Sequence, residues 1–247
     1  CKGLGKPWAK GLVNGVLRTL QRQGEEKPDA ETLAESDHPE WLRSLLHRQY
    51  GDGALALMEG NNRRAPMTLR INQIAIPPDT FKQRLQTAKI SFADGPWPET
   101  VTLLDPQVAT DLPGWDQGEC AVQDQAAQHA AHLIMDALLS KGPSASPVKV
   151  LDACAAPGGK LFHLREVLTQ AGIEHHLFAL DNKATRLQEL SAIATRLGHI
   201  THPHADGSPL ASDSIGLICA DGCAIDLPLP ENLNIILIDA PCSGSGT

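Results

Sequence analysis

The chain has 247 residues, of which 42% are hydrophobic and 20% are charged, and this composition excludes a mainly disordered protein. The sequence contains no run of about 18 apolar residues, so we predict that no segment spans a membrane. Its six cysteines lack the spacing of a disulfide scaffold, and no signal peptide is recognisable, which favours a cytoplasmic protein. Because the chain starts with Cys and ends in a Gly- and Ser-rich run, we expect a fragment that is cut at both ends.

The net charge of −8 is distributed unevenly. Residues 1–95 carry a charge of +3, and residues 96–247 carry −11. Two stretches are basic: residues 1–22 contain five bases and no acid, and residues 61–89 contain six bases and one acid. Local positive charge of this kind is typical of contacts with nucleic-acid phosphates, but a solvated surface has the same pattern.

The first half of the chain predicts helices and a small α+β module. Helices are predicted over 8–23, after Pro39 and near 54–59, and the apolar stripe of the first indicates the end of a larger helical domain. Alternating apolar residues predict a half-buried strand over 67–71, and a helix is predicted over 81–87. An apolar run follows at 101–104. The residues expected in the core of the second helix are Trp41, Leu42, Leu45 and Leu46.

From about residue 120, short apolar strands alternate with helices, which predicts an α/β domain with a parallel, doubly wound sheet. The predicted strands are 148–152, 177–181, 215–219 and 235–239, and the predicted helices are 125–139, 159–168 and 184–197. Ligands of such sheets bind at the carboxyl ends of the strands. Those ends carry Asp152, Asp181, Asp221 and Asp239, so we predict a ligand site there.

The first of these strands leads into the loop Cys154-Ala-Ala-Pro-Gly-Gly-Lys160. Small residues allow a ligand to approach the backbone, and N–H groups at the start of the next helix can bind an anionic group. The loop is not a P-loop, which needs Gly at Cys154 and Ser or Thr at Leu161. It is not a dinucleotide fingerprint either, because Gly158 and Gly159 are adjacent.

The acids at the strand ends have candidate roles and alternatives. Asp181 can accept hydrogen bonds from both hydroxyls of a ribose, or it can cap the helix that follows. Asp221 follows a buried strand and is our candidate for contact with an adenine amino group, with Asp206 as the alternative. Asp239 is followed by Cys242. Because a neighbouring carboxylate raises the pKa of a thiol, we predict that these two groups act on different atoms of one substrate; a buried cysteine is the alternative.

Two motifs carry a family resemblance. Residues 151–160 together with residues 239–246 resemble the RNA cytosine-5 methyltransferases that use S-adenosylmethionine. Residues 62–72, with 38–42 and 122–128, narrow the resemblance to bacterial 16S rRNA enzymes of the RsmB (Sun/Fmu) type. Residues 11–18 resemble the last helix of a NusB-like RNA-binding domain.

The resemblance implies three regions. They are the end of an all-α NusB-like domain with a linker over 1–36, a small α+β module over 37–115, and a Rossmann-like S-adenosylmethionine-dependent methyltransferase domain over 116–247, incomplete at its C-terminus. Leu161 stands where this family often has Thr, and residues 198–214 resemble an insertion.

The resemblance also implies a reaction: methyl transfer from S-adenosylmethionine to C5 of a cytosine in 16S rRNA, through a bond between a cysteine and C6. Asp181 would hold the ribose, Asp221 the adenine, and Asp239 would lie near both cofactor and cytosine. Cys242 would help to release the adduct, while the attacking cysteine belongs to a Thr-Cys-Ser-like motif that this sequence lacks. We therefore expect weak cofactor binding and no turnover. The residues that would line the methionine end of the cofactor are Cys154, Ala155, Ala156, Pro157, Gly158, Gly159 and Lys160.

Other functions remain open. A non-catalytic NusB-like RNA-binding factor explains the basic N-terminal helix but not the acids at the strand ends. A tRNA cytosine-5 methyltransferase is a second alternative. Two other classes are disfavoured: an amino-group methyltransferase usually has an aromatic residue after a Pro-Pro pair, and a DNA cytosine-5 enzyme has a Gly-rich first motif, and this sequence has neither.

We expect a monomer without metal, since the spacing of the candidate zinc ligands is loose. Those candidates are His199, His202, His204, Cys219 and Cys223.

Overall fold

The computed structural model describes residues 8–23, 32, 37–140, 142, 147–204, 214–224, 229 and 231–242. These residues form two compact units, one before Pro66 and one from Pro66 onward. No described helix is long and apolar enough to cross a membrane. The alternative adenine contact Asp206 and the end of the second motif, 243–246, lie outside the described residues.

The first unit contains the three predicted helices. They are α1 (Ala9–Gln23), α2 (Glu40–Tyr50) and α3 (Ala54–Asn62), with a 3₁₀ turn at Gly51–Gly53 between the last two. The apolar stripe of α1 is exposed in the structure. The assignment of Trp41 to the core was wrong, because its side chain is 62% exposed and α2 packs on Ala54 and Met58 through Leu46 instead.

The second unit starts with a four-stranded antiparallel sheet. Its strands are β1 (Met67–Ile71), β2 (Phe92–Asp94), β3 (Thr100–Leu103) and β4 (Cys120–Val122), in the order β2-β3-β1-β4. Helix α4 (Pro78–Thr87) packs on the apolar face of this sheet through Phe81 and Leu85.

The prediction that β1 is half-buried was wrong. Its polar residues Thr68 and Arg70 are 2% and 1% exposed, because the rest of the second unit covers the face on which they lie. The boundaries expected at 36/37 and 115/116 stay predictions. The antiparallel sheet continues past the second of them, since Leu69 of β1 pairs with Val122 of β4.

A five-stranded parallel sheet forms the remainder of the second unit. Its strands are β5 (Val148–Asp152), β6 (His175–Asp181), β7 (Ile200–Pro203), β8 (Ser214–Cys219) and β9 (Ile235–Leu237), in the order β7-β8-β6-β5-β9. The helices are α5 (Gln125–Ser140), α6 (Gly159–Gln170) and α7 (Ala184–Arg196). The predicted α/β alternation is confirmed. Strand β7 was missed because its side chains at the sheet edge are mostly exposed and give no apolar signal.

The two faces of the parallel sheet are covered differently. On one face, Val150 and Ala179 belong to a large apolar cluster with residues from α5, α6 and α7. All three helices therefore lie on this face, and the doubly wound arrangement is not seen within the described residues. The buried residues of the opposite face are Leu151, Phe178, Leu180 and Ile218.

Candidate functional site

Backbone hydrogen bonds join the ends of four parallel strands into one edge. The N–H of Ala153 donates to the carbonyl oxygen of Leu237 at 2.9 Å, and the N–H of Ala155 donates to that of Leu180 at 3.0 Å. Next to β8, the N–H of Ala220 donates to the last residue of β6 at 3.2 Å. The loop that follows β5 thus lies on the edge where the sequence places its candidate residues.

Gly158 shapes the end of this loop. Its φ of 103° lies in the left-handed region, and a Cβ on it would lie 2.4 Å from the buried ring of Phe162. A Cβ on Gly159, by contrast, would meet Gln123 at an ordinary 3.8 Å. Gly158 is therefore required by the packing of the chain on itself, in addition to any ligand. Leu161, in place of the family's Thr, is fully buried in the core.

Asp152 at the end of β5 is 2% exposed and accepts a hydrogen bond from the N–H of Cys154 at 3.3 Å. Burial raises the pKa of Asp152 to about 7, and the nearby carboxylates of Asp239 and Asp181 add to the increase. Burial and the same carboxylates also raise the pKa of the Cys154 thiol. The structure thus brings these four groups together at one edge.

Both carboxylate oxygens of Asp181 have partners within the protein. Oδ1 accepts a hydrogen bond from the N–H of Lys183 at 3.0 Å, and Oδ2 forms an ion pair with Nη1 of Arg186 at 3.0 Å. Nη2 of Arg186 also donates to the carbonyl oxygen of Ala156, at 2.5 Å. The alternative role as a helix cap was wrong: Lys183 is at the N-cap position of α7 without a side-chain cap hydrogen bond, and Asp181 accepts from the N–H of Lys183, just before the helix. Its contact with a ribose stays a prediction.

The other predicted site residues are more exposed. Asp239 forms an ion pair with Lys160. Cys242 is exposed, so the alternative of a buried cysteine was wrong. Asp221 follows β8, is exposed, and accepts a hydrogen bond from the N–H of Cys223 at 3.0 Å. The choice between Asp221 and Asp206 as the adenine contact stays open.

The sequence did not reveal a buried ion pair behind the loop. Arg70 of β1 and Glu166 of α6 lie 2.9 Å apart, and each side chain is 1% exposed. Arg70 was counted in the basic stretch 61–89, and two further bases of that stretch, Lys82 and Arg84, also pair with acids. The stretch thus offers a phosphate fewer charges than predicted. The available signal was a base in the middle of an apolar strand.

Within the described residues, one group of three side chains has the types of a metal site: Glu99, His132 and His163. Both imidazoles lie at hydrogen-bond distance from the same Oε1 of Glu99, with Nε2 of His132 at 2.7 Å and Nε2 of His163 at 3.1 Å. Burial alone would raise the pKa of Glu99, but these two hydrogen bonds outweigh it and lower the pKa to about 2. The group is thus a network of hydrogen bonds around a buried carboxylate.

The zinc candidates of the sequence do not form such a group among the described residues. His199 is buried, and its ring nitrogens lie 2.8 Å from Nη1 of Arg165 and 3.2 Å from Oε1 of Glu166. Both partners belong to α6, so His199 is part of the packing between α6 and the segment after α7.

Two family models match the chain. The RsmF/B-like methyltransferase, ferredoxin-like domain covers residues 38–110, and the 16S rRNA methyltransferase RsmB/F covers residues 143–247. The ribosomal RNA small subunit methyltransferase B of Enterobacter sp. (strain 638) is 34% identical over 98% of this chain and 51% of its own length. The chain spans about half the length of the curated relatives it matches.

Solved structures are similar in fold. A methyltransferase homolog protein from Pyrococcus horikoshii has a TM-score of 0.55 at 22% identity, covering 70% of this chain and 54% of its own. NSun6 from Pyrococcus horikoshii with SFG has a TM-score of 0.58 at 14% identity, covering 74% and 65%. Together with the family models, these similarities confirm the predicted Rossmann-like methyltransferase fold, whereas the NusB-like assignment stays a prediction.

Proposed function

The chain belongs to the RsmB/F family of methyltransferases, and from this we propose that it is part of an enzyme that methylates C5 of a cytosine in 16S rRNA. One observation carries the proposal: the RsmB/F match over 143–247 contains the whole edge where the strand-end acids meet. The expected partner is 16S rRNA. The cytoplasmic location and the monomeric state stay predictions.

The proposed cofactor is S-adenosylmethionine, which when bound supplies an electrophilic methyl group on a sulfonium cation. Burial is the main cause of the raised pKa of Asp152, and repulsion from Asp239 and Asp181 adds to it; a sulfonium cation near these carboxylates would reduce that repulsion. We assign the loop 154–160 to the methionine end, Asp181 to the ribose and Asp221 to the adenine. A ribose at Asp181 would have to share its carboxylate with Arg186.

The proposed chemistry divides the work between two residues of this chain. C5 of cytosine becomes nucleophilic when a thiolate adds to C6 and N3 gains a proton. We assign the half-exposed carboxyl group of Asp239 to support the proton at N3. After methyl transfer a base removes the C5 proton, the bond between C6 and sulfur breaks, and the attacking thiol leaves. We assign Cys242 to this release step.

Cofactor binding is tested by isothermal titration of the 247-residue chain with S-adenosylhomocysteine. We expect weak but saturable binding below millimolar ligand. Absence of heat at millimolar ligand would contradict the cofactor site and favour a non-catalytic RNA-binding protein.

The release role is tested in a protein with the full length of the family members. Cys242→Ala should trap a covalent complex of protein and RNA that survives a denaturing gel, because the adduct forms but is not released. Cys223→Ala is the matched control, since this thiol is also exposed and follows another strand of the same sheet. Normal turnover by Cys242→Ala without a retarded band would remove Cys242 from the release step.

The RNA substrate is tested by bisulfite sequencing of RNA from cells with and without the gene. Loss of 5-methylcytosine from 16S rRNA is expected. Loss from tRNA, with 16S rRNA unchanged, would replace the proposal by the tRNA alternative.

A further inference from the structure

The guanidinium group of Arg70 connects the antiparallel sheet to the candidate cofactor loop. Nη2 pairs with Oε1 of Glu166 at 2.9 Å, and Nη1 donates to the carbonyl oxygen of Gly159 at 2.7 Å and also to Oε1 of Gln123. Gly159 is the first residue of α6 and precedes Lys160, the partner of Asp239. Arg70 therefore holds the backbone at the end of the loop.

Two contacts on α6 restrict the orientation of the helix more than a single hydrogen bond would. Gly159 and Glu166 lie seven residues apart, which is about two helical turns, so both face the same side of the helix. The rigid, planar fork of a guanidinium can hold both points at once. This contact sets the rotation of α6 and the place where the loop ends.

Stability alone does not account for this pair. A buried ion pair generally contributes little net stability, because removing both charges from water costs about as much as their attraction returns. In this pair, hydrogen bonds offset only part of the desolvation cost, because Nε of Arg70 and Oε2 of Glu166 have no hydrogen-bond partner among the described residues. Nε2 of His199 adds one contact to Glu166, at 3.2 Å.

We propose that Arg70 is a positioning residue for the cofactor site, through which the antiparallel sheet sets the geometry of the loop 154–160. The antiparallel sheet then contributes to cofactor affinity through the position of this loop. The inference rests on the proposed binding of S-adenosylmethionine.

The test compares stability with affinity in the 247-residue chain. The double variant Arg70→Met/Glu166→Met replaces the pair by apolar side chains of similar size, a change that folded proteins often tolerate. We expect its urea midpoint to fall, because the carbonyl of Gly159 and the amide oxygen of Gln123 lose their donor. In the folded variant the Kd for S-adenosylhomocysteine should rise by about tenfold or more. A purely structural pair predicts a lower midpoint with an unchanged Kd.

The matched control is the pair of Arg84 and Glu119, which lies in the same unit and joins α4 to the residue before β4. Arg84→Met/Glu119→Met should leave the Kd unchanged. If the Arg70 double variant does not fold, Arg70→Lys takes its place: it keeps the charge but lacks the fork, and we expect a raised Kd and faster amide exchange over 154–160. An unchanged Kd in the folded variant overturns the inference. If the unchanged protein does not bind S-adenosylhomocysteine, the proposed function is overturned instead.

Discussion

At neighbouring strand ends, two buried aspartates have opposite surroundings. Asp181 is 3% exposed and receives an ion pair from Arg186 and a backbone N–H. Asp152 is 2% exposed but receives a single backbone N–H, and its pKa rises to about 7. Burial is the main cause of that rise, the carboxylates of Asp239 and Asp181 add to it, and the ammonium group of Lys160 opposes it. The charge state of Asp152 is therefore set by its surroundings.

Asp181→Ala should weaken binding of S-adenosylhomocysteine by about 1–3 kcal/mol, the range for hydrogen bonds to a charged group. Isothermal titration measures this change. Asp136→Ala, which removes an exposed acid of α5 in the same unit, should leave the affinity unchanged. Asp181→Asn keeps an acceptor for the N–H of Lys183 and separates helix stability from ligand affinity. If the affinity of the Ala variant equals that of the unchanged protein, Asp181 serves α7 alone.

Asp152→Asn should stabilise the protein above pH 7. The carboxyl pKa is about 7 in the folded chain against an ordinary value of 3.8, so between these pH values the folded state holds a proton that the unfolded state has lost. Stability therefore falls as pH rises from about 4 to 7, by roughly 2–4 kcal/mol for this one group. Urea unfolding at several pH values should give a higher free energy of unfolding for the variant than for the unchanged protein at pH 8, and the difference should decrease toward pH 5. A constant difference across this range would contradict the raised pKa.

At the scale of elements, α6 depends on how its first turn is built. Gly158 precedes the helix with a positive φ, and its missing side chain leaves room for Phe162 one turn later. At the other end, Gly172 also has a positive φ, of 68°, but a Cβ there would meet nothing within 4 Å. Substitutions at the two glycines therefore distinguish the cost of the backbone conformation from the cost of a steric clash.

Gly158→Ala should cost about 3 kcal/mol of unfolding free energy, since it adds an atom against Phe162 to the cost of a left-handed alanine. Gly172→Ala should cost about 1 kcal/mol, from backbone conformation alone. Urea denaturation measures both. Equal losses for the two variants would show that the contact with Phe162 is relieved by a small shift.

At the scale of the whole second unit, polar side chains of β1 and the residues after it fasten the two sheets together. Asn72, 1% exposed, donates from Nδ2 to the carbonyl oxygens of Gly118 and Leu197, both at 2.9 Å. Nearer the surface, Gln170 donates to the carbonyl oxygen of Gln73 at 2.7 Å. Because Leu197 follows α7, the contact between Asn72 and Leu197 joins the antiparallel sheet to the helices that pack on the parallel sheet.

Asn72→Ala should destabilise the protein by about 2–3 kcal/mol, because two buried carbonyl groups lose their donor. Gln170→Ala removes a more exposed contact and should cost about 0.5 kcal/mol or less. Thermal or urea unfolding tests the pair. If Asn72→Ala loses as little unfolding free energy as Gln170→Ala, water replaces the amide and the contact does not stabilise the packing of the two sheets.

The sequence by itself determined most elements of the parallel sheet and the chemistry at its strand ends. The apolar periodicity that marks β5, β6, β8 and the helices between them is a local property, so it can be read without knowing what packs on what. The same holds for the acids at the strand ends, because every parallel strand presents its last residue at the same edge. The loop 154–160 and the segment around Cys242 were specific enough to indicate the family.

The tertiary structure alone decided which charges are buried and with whom they pair. Arg70 lies 96 positions before Glu166, and no local pattern indicates that the two meet. The exposure of Trp41 and the edge strand β7 could not be predicted for the same reason: burial depends on neighbours from distant parts of the chain. Desolvation and pairing act across space, and the periodicity of a sequence reports only what lies along it.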